Sequence, residues 1–323
     1  MSSPPSTARR HAIPQGLEGS DGHDSPGKEV TIASSSTFSP VPDAEGGDDA
    51  EDKACYICFD ADVNVISLGC ACRGAAGGAH VACMVLAAAQ FERKTCGTSW
   101  AKCTLCYQKY GGKMRMRLAA EGVRRVQHLP ETEPMWLFGH EILADALQDN
   151  CNHREAERLY RRVLLRQQAV FGVDHAKTLG TMHKLAGCLY SQSKLTESIM
   201  LCRTILRVQQ EVFGHDEEHP NILGTKSSLA SVLRRNGQIE EAESMFRATL
   251  KTMRAVLPEN DVFILNTMNS FSGLLRDTKQ YAEAEAMLRE LNAVERQVFG
   301  PEHQRTLRSK RNLENTLARV PPV

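Results

Sequence analysis

Four pairs of metal-binding side chains stand in a row: Cys55 and Cys58, Cys70 and Cys72, His80 and Cys83, Cys103 and Cys106. Eleven residues separate the first pair from the second, seven separate Cys72 from His80, and nineteen separate Cys83 from Cys103. A Cys-x-x-Cys knuckle sets two thiolates on one ion. Zn2+ takes four such ligands in a tetrahedron, at about 2.3 Å from sulfur and about 2.0–2.1 Å from histidine nitrogen. The eight side chains therefore supply two zinc ions. No pair closes a site alone, so pairs must combine, either sequentially or interleaved, and spacing leaves both open. In either arrangement every position on each ion is filled by protein, so the zincs are structural and activate no water. A module this small has little core, and zinc contributes about 10–16 kcal/mol to the folding of comparable units. In a reducing compartment such a cluster reads as metal-binding rather than disulfide-bonded. Cys96 is left over and reads as a plain buried thiol; Cys151, Cys188 and Cys202 stand apart. The sequence shows no Gly-rich phosphate loop and no supportable Ser-His-Asp spacing, so no catalytic residue is expected.

The elements around this cluster divide the 323 residues into four expected parts. Residues 1–52 carry nine Ser, six Pro and six Gly with ten acids against three bases, a composition that cannot bury enough apolar surface to offset chain entropy. They are expected to form a disordered acidic tail. Residues 53–112 form the cysteine module. Residues 113–134 form a basic connector, in which Leu118, Ala119, Val123 and Val126 share one helical face for docking and Lys113, Arg115, Arg117, Arg124 and Arg125 are expected in solvent. Lys plus Arg and Asp plus Glu are both 39, so the cationic footprint of a nucleic-acid-binding protein is absent. No apolar run approaches the ~20 residues of a spanning helix, and no secretory signal is visible. A soluble protein is expected, cytoplasmic, with the nucleus left open.

From 135 to 318 the sequence repeats. Val170-Phe171-Gly172 returns as Val212-Phe213-Gly214, as Val256-Leu257-Pro258 and as Val298-Phe299-Gly300. Three further columns keep this register: the small residues Ala156, Ser198, Ala242 and Ala284; Leu159, Leu201, Met245 and Met287; and Arg161, Arg203, Arg247 and Arg289. Such registration predicts a solenoid of helix pairs. In the second unit the helices are expected over 178–189 and 196–211, with a small residue early in the second helix so that two backbones can approach. Gly172 and its equivalents suit helix C-caps. A polar capping helix is expected at 304–317.

The repeats resemble the ~42-residue tetratricopeptide repeats of kinesin light chains. Phe171-Gly172-Val173-Asp174-His175 and Phe299-Gly300-Pro301-Glu302-His303 are similar to that family's Leu-Gly-x-Asp-His-Pro turn. Gly237 to Ala242 and Gln280 to Ala284 are similar to its Gly-Lys-Tyr-Glu-Glu-Ala turn. The resemblance implies a concave groove on the first helices that takes a protein substrate or cargo. Its matching positions are His183-Lys184, Ser227-Ser228, Asn269-Ser270 and Arg311-Asn312. His175, His219 and His303 read as turn chemistry at helix junctions, and the Arg column as solvated or ion-paired.

The cysteine pattern, with one residue between Cys70 and Cys72 and seven before His80, resembles the RING-CH (RING-variant) zinc finger. That resemblance implies interleaved ligation: Cys55, Cys58, His80 and Cys83 on one ion, Cys70, Cys72, Cys103 and Cys106 on the other. It also implies a docking surface for a ubiquitin-conjugating enzyme, with Ile57 and Leu105 inside the first and last knuckles and Trp100 standing in for the family's usual Trp. The expected fold is thus mainly α: a small cross-brace zinc finger joined to an α-solenoid. The expected function is a RING-type ubiquitin-protein ligase that works by orientation, without a covalent intermediate on this chain. Two alternatives stand beside it. One is a non-catalytic adaptor, favoured by Tyr107 where the family often has a cation after the last ligand. The other is a PHD-like histone-tail reader, disfavoured by the single residue between Cys70 and Cys72.

Overall fold

The computed structural model describes residues 66–67, 78–79, 83–85, 87–88, 98–103 and 109–319. The expected tail, and the ligands Cys55, Cys58, Cys70, Cys72, His80 and Cys106, lie outside them. All the described residues belong to one unit, Ala50–Val323.

Ten helices run through the described residues after 111. They are α1 (Gly112–Val126), α2 (Pro134–Asp149), α3 (His153–Phe171), α4 (Ala176–Ser191) and α5 (Leu195–Val212), then α6 (Pro220–Arg235), α7 (Ile239–Val256), α8 (Val262–Asp277), α9 (Tyr281–Phe299) and α10 (Gln304–Leu317). Consecutive helices from α1 to α10 pack on one another, giving four pairs, α2/α3 to α8/α9, and a terminal helix.

Local chemistry sets the boundaries. Each first helix from α4 onward opens with a side chain that accepts an orphan backbone N–H. His175 Nδ1 accepts from Lys177, His219 Nδ1 from Asn221, Asp261 Oδ1 from Phe263 and His303 Nδ1 from Arg305. The three histidines also stack on Phe171, Phe213 and Phe299. α3 and α9 stop at Gly172 (φ 91°) and Gly300 (φ 90°), the left-handed region where a Cβ is strained. The second unit's helices are each longer than expected, 176–191 and 195–212; the first starts early because His175 caps it.

Ala156, Ser198, Ala242 and Ala284 are all fully buried. On each first helix the residue twelve positions earlier, Ala144, Ala186, Ala230 or Ser272, is buried too. Ser198 Oγ donates to the Ala186 carbonyl at 2.9 Å, an approach that only small residues on both helices permit. The largest core cluster fills α4 to α9 around Phe246 and Phe271, whose rings stack 5.4 Å apart.

The Arg column ties successive second helices together. Arg161 donates to Glu197 at 2.6 Å, Arg203 to Glu241 at 3.3 Å and Arg247 to Glu283 at 2.6 Å. Arg289, with no further second helix beyond it, bonds Glu285 on its own helix. Each exposed pair is worth about 0–1 kcal/mol, so the ladder aligns the units more than it stabilises them.

The connector differs from expectation at Arg115. Leu118, Ala119 and Val126 dock as expected, but Arg115 is only 6% exposed and pairs with Asp149 at the end of α2. Burial pushes its pKa down. The sequence placed it in solvent because a docked helix buries whatever its neighbour covers, and α2 covers this turn.

Candidate functional site

On the first helices, two adjoining cavities of about 310 and 410 Å3 share His183 and Ser228 and together form a trough across α4, α6 and α8. Its lining is small and nearly neutral. Gly180, Gly187, Gly224 and Ser231 form part of the floor, Tyr190 and Phe263 form walls, and Asp174 is the one charged residue in the lining. Phe263 lies close over Gly224: a Cβ at 224 would meet its ring at 2.6 Å. Any side chain there would shift the wall.

His183 sits at the centre. Burial lowers its pKa and keeps the ring neutral. The Thr225 hydroxyl donates to Gln209 Oε1 at 2.6 Å, so its oxygen accepts from His183 Nε2 at 3.2 Å. His183 Nδ1 is then the acceptor, suited to a backbone N–H of an extended chain. Hydroxyls, glycines and one neutral imidazole can bond a peptide backbone and admit small side chains; they offer no cationic clamp for a carboxylate.

The other positions expected in the groove divide. Ser228 and Ser270 line it. Lys184 does not offer a cation there: its ammonium bonds Glu141 at 2.6 Å and Asp145 at 2.9 Å on α2. Burial works against that charge, but Asp145 and Glu141 outweigh it and the pKa is raised. Asp145 also accepts from Tyr160 at 2.7 Å, making a three-helix clasp. Asn312 donates to Asn269 at 3.1 Å, so these two amides bond each other across α8 and α10. Arg311 is exposed on α10. The glycines went unremarked in the sequence, yet Gly180 and Gly224 are 44 residues apart and in register, a signal that could have found them.

In the cysteine module, Cys103 is buried and Cys83 half-buried against a core of Met84, Trp100, Met114, Leu118 and Ile142, which joins the module to α1 and α2. Trp100 corrects an expectation. It is 3% exposed, packed against Gly122 with the Arg125 guanidinium 5.3 Å from the ring centroid, so it builds this core and cannot meet a docking enzyme. Ile57 and Leu105 lie outside the described residues. Two antiparallel pairings bracket predicted ligand pairs. Ile66–Ser67 (β1) pairs with Gly78–Ala79 (β2) around Cys70 and Cys72, and Lys102 pairs with Lys109 around Cys103 and Cys106. The chemistry of the donor set, seven thiols and one imidazole, fits zinc. Outside the module, burial raises the Cys202 thiol to about 11 and pushes up Cys188 as well, so neither is a nucleophile.

Comparison with known proteins agrees with the helical geometry. Tetratricopeptide-repeat models match residues 142–176, 177–255 and 221–291. Over these residues the helical array is similar to tetratricopeptide repeats. BtubC (BKLC) from P. vanneervenii shares 20% identity over 63% of this chain and 82% of its own, with a TM-score of 0.51. A Podosopora anserina protein of nearly identical TPR-like repeats, described as a kinesin light chain, shares 19% over 68% and 96%, with a TM-score of 0.47. At these identities the likeness to BtubC concerns fold alone. A search of curated proteins gives no significant match. Stacked repeats of this kind are protein-interaction scaffolds that present an extended concave surface. Among the described residues no helix is long and apolar enough to cross a membrane.

Proposed function

We propose that this protein is a RING-type ubiquitin ligase whose repeat array recruits the substrate. The trough across α4, α6 and α8 receives an extended, uncharged segment of the substrate, with His183 Nδ1 accepting from its backbone. Cys55, Cys58, His80 and Cys83 hold one structural zinc and Cys70, Cys72, Cys103 and Cys106 the other. The bound ions supply cross-links that fold the module. Ile57 and Leu105 meet a ubiquitin-conjugating enzyme, and the ligase acts by orienting the charged thioester toward an amine on the recruited substrate.

The observation that carries this reading is the ligand spacing, supported by the antiparallel pairings of residues on either side of Cys70–Cys72 and of Cys103–Cys106. The shared core of Trp100, Cys103, Met114 and Ile142 adds to it, since it couples the module to α1 and α2, on which the rest of the array stacks. Tyr107, in place of a cation after the last ligand, favours a second reading in which the module only binds and the chain is an adaptor.

Self-ubiquitination by the zinc-loaded full chain, across a panel of conjugating enzymes, separates the two. Ile57→Ala spares every ligand and is expected to abolish chain formation at unchanged zinc content. Absence of chains with every enzyme, in protein holding two zincs, would leave the adaptor.

A further inference from the structure

A second cleft lies between the α2–α3 turn, the start of α3 and the α4–α5 turn. Its volume is about 790 Å3, larger than either cavity of the trough. Four bases line it: Arg154, Arg158, Arg161 and Lys194. The one acid in the lining, Glu157, is 7% exposed and already holds Lys194 at 2.8 Å, Gln192 at 2.7 Å and Arg161 at 2.9 Å. Burial would raise its pKa, but these partners outweigh burial and the net shift is downward. Glu157 is therefore ionised and its charge is neutralised within the fold.

Arg154 and Arg158 are different. Both are exposed at the cleft, and neither has an ion-pair partner among the described residues. Exposed arginines elsewhere on the second helices, such as Arg203, Arg247 and Arg254, pair with a neighbouring helix. Four residues apart on α3, the two arginines leave the helix at points offset by about 6 Å of helix rise. Two residues of extended chain advance by about 6.6 Å, and side chains two apart point the same way. Each guanidinium fork matches a carboxylate in a bidentate pair. The cleft is also far larger than one small anion.

We infer that this cleft binds an acidic segment of a protein partner, extended along α3, with carboxylates at positions i and i+2 meeting Arg154 and Arg158. This inference stands apart from the trough and does not depend on ligase activity.

Fluorescence anisotropy of labelled ten-residue peptides against the full chain tests it. One peptide carries Glu at i and i+2, and isomers of the same composition carry the pair at i, i+1 or i, i+5. A further peptide has a single phosphoserine and no Glu. The i, i+2 peptide is expected to bind at least about fivefold tighter than either isomer, and more weakly in high salt, where exposed charges are screened. Arg154→Glu with Arg158→Glu is expected to weaken it by at least tenfold, while Arg308→Glu, a reversal of an exposed base on α10, leaves it unchanged. Arg154→Gln with Arg158→Gln, checked for an unchanged melting temperature, guards against misfolding and is expected to weaken binding as well. Equal affinity for all isomers, wild-type binding by the Gln variant, preference for the phosphoserine peptide, or no binding at low salt would each overturn the inference.

Discussion

The crossing of each helix pair is the strictest steric requirement in the array, and Ala242→Leu tests it. Ala242 is fully buried at the start of α7, in register with Ser198, and its counterpart on α6, Ala230, is equally buried. Ser198 Oγ lies 2.9 Å from the Ala186 carbonyl in the neighbouring unit, which gives the scale of the approach. Leucine adds three carbon atoms where two backbones meet. Overpacking of this kind costs about 1–3 kcal/mol, while leucine's helix propensity differs from alanine's by only a few tenths of a kcal/mol. Taking about 2 kcal/mol and about 2–4 °C per kcal/mol for an array of this length, the melting temperature should fall by about 4–8 °C. The assay is thermal unfolding of the zinc-loaded full chain followed by circular dichroism. Ala248→Leu, on an exposed position of the same helix, is the control and should stay within about 1 °C of wild type. A melting temperature for Ala242→Leu equal to that control would refute the close-approach argument for the whole small-residue column.

Two further outcomes follow from buried polar groups. Tyr160→Phe removes a hydrogen bond to the Asp145 carboxylate from a residue 1% exposed, and should cost about 1.5–2 kcal/mol by denaturant unfolding; a loss below about 0.5 kcal/mol would mean that the Asp145–Lys184 clasp holds without it. Burial lowers the pKa of both His140 and His183, the former against an opposing bond to the Trp136 carbonyl, so the folded state takes up protons less readily than the unfolded chain. Their contribution is therefore fully present above about pH 6.5, the unfolded histidine range, and declines as pH falls through and below it. Melting temperatures between pH 7.5 and 5 should fall, with a shallower slope in His183→Gln; an unchanged slope in that variant would exclude His183 from the effect.

Much of the array was legible in the sequence because a repeat reports each position several times. The small column marked the helix crossings, the Arg column a solvated or ion-paired surface, and the Val-Phe-Gly phrase the ends of α3 and α9. Even the histidines at 175, 219 and 303 were readable as junction chemistry, although their role as N-caps stacked on phenylalanine needed coordinates. What a single residue does when its partner lies about 40 positions away was not legible. Lys184 was expected to face a ligand and instead bonds Glu141 and Asp145; Trp100 was expected at a docking surface and instead fills a core; Arg115 was expected in solvent and instead pairs with Asp149.

The division has a physical cause. Helix periodicity, capping and backbone approach are local or repeated, so residue type and spacing alone determined that this chain forms stacked helix pairs. Whether a given charge or ring is used within the fold or left for a partner depends on which neighbouring helix covers it. Only tertiary packing decided that Lys184 is consumed, that Gly180 and Gly224 open a neutral trough beside His183, and that Arg154 and Arg158 have no ion-pair partner among the described residues.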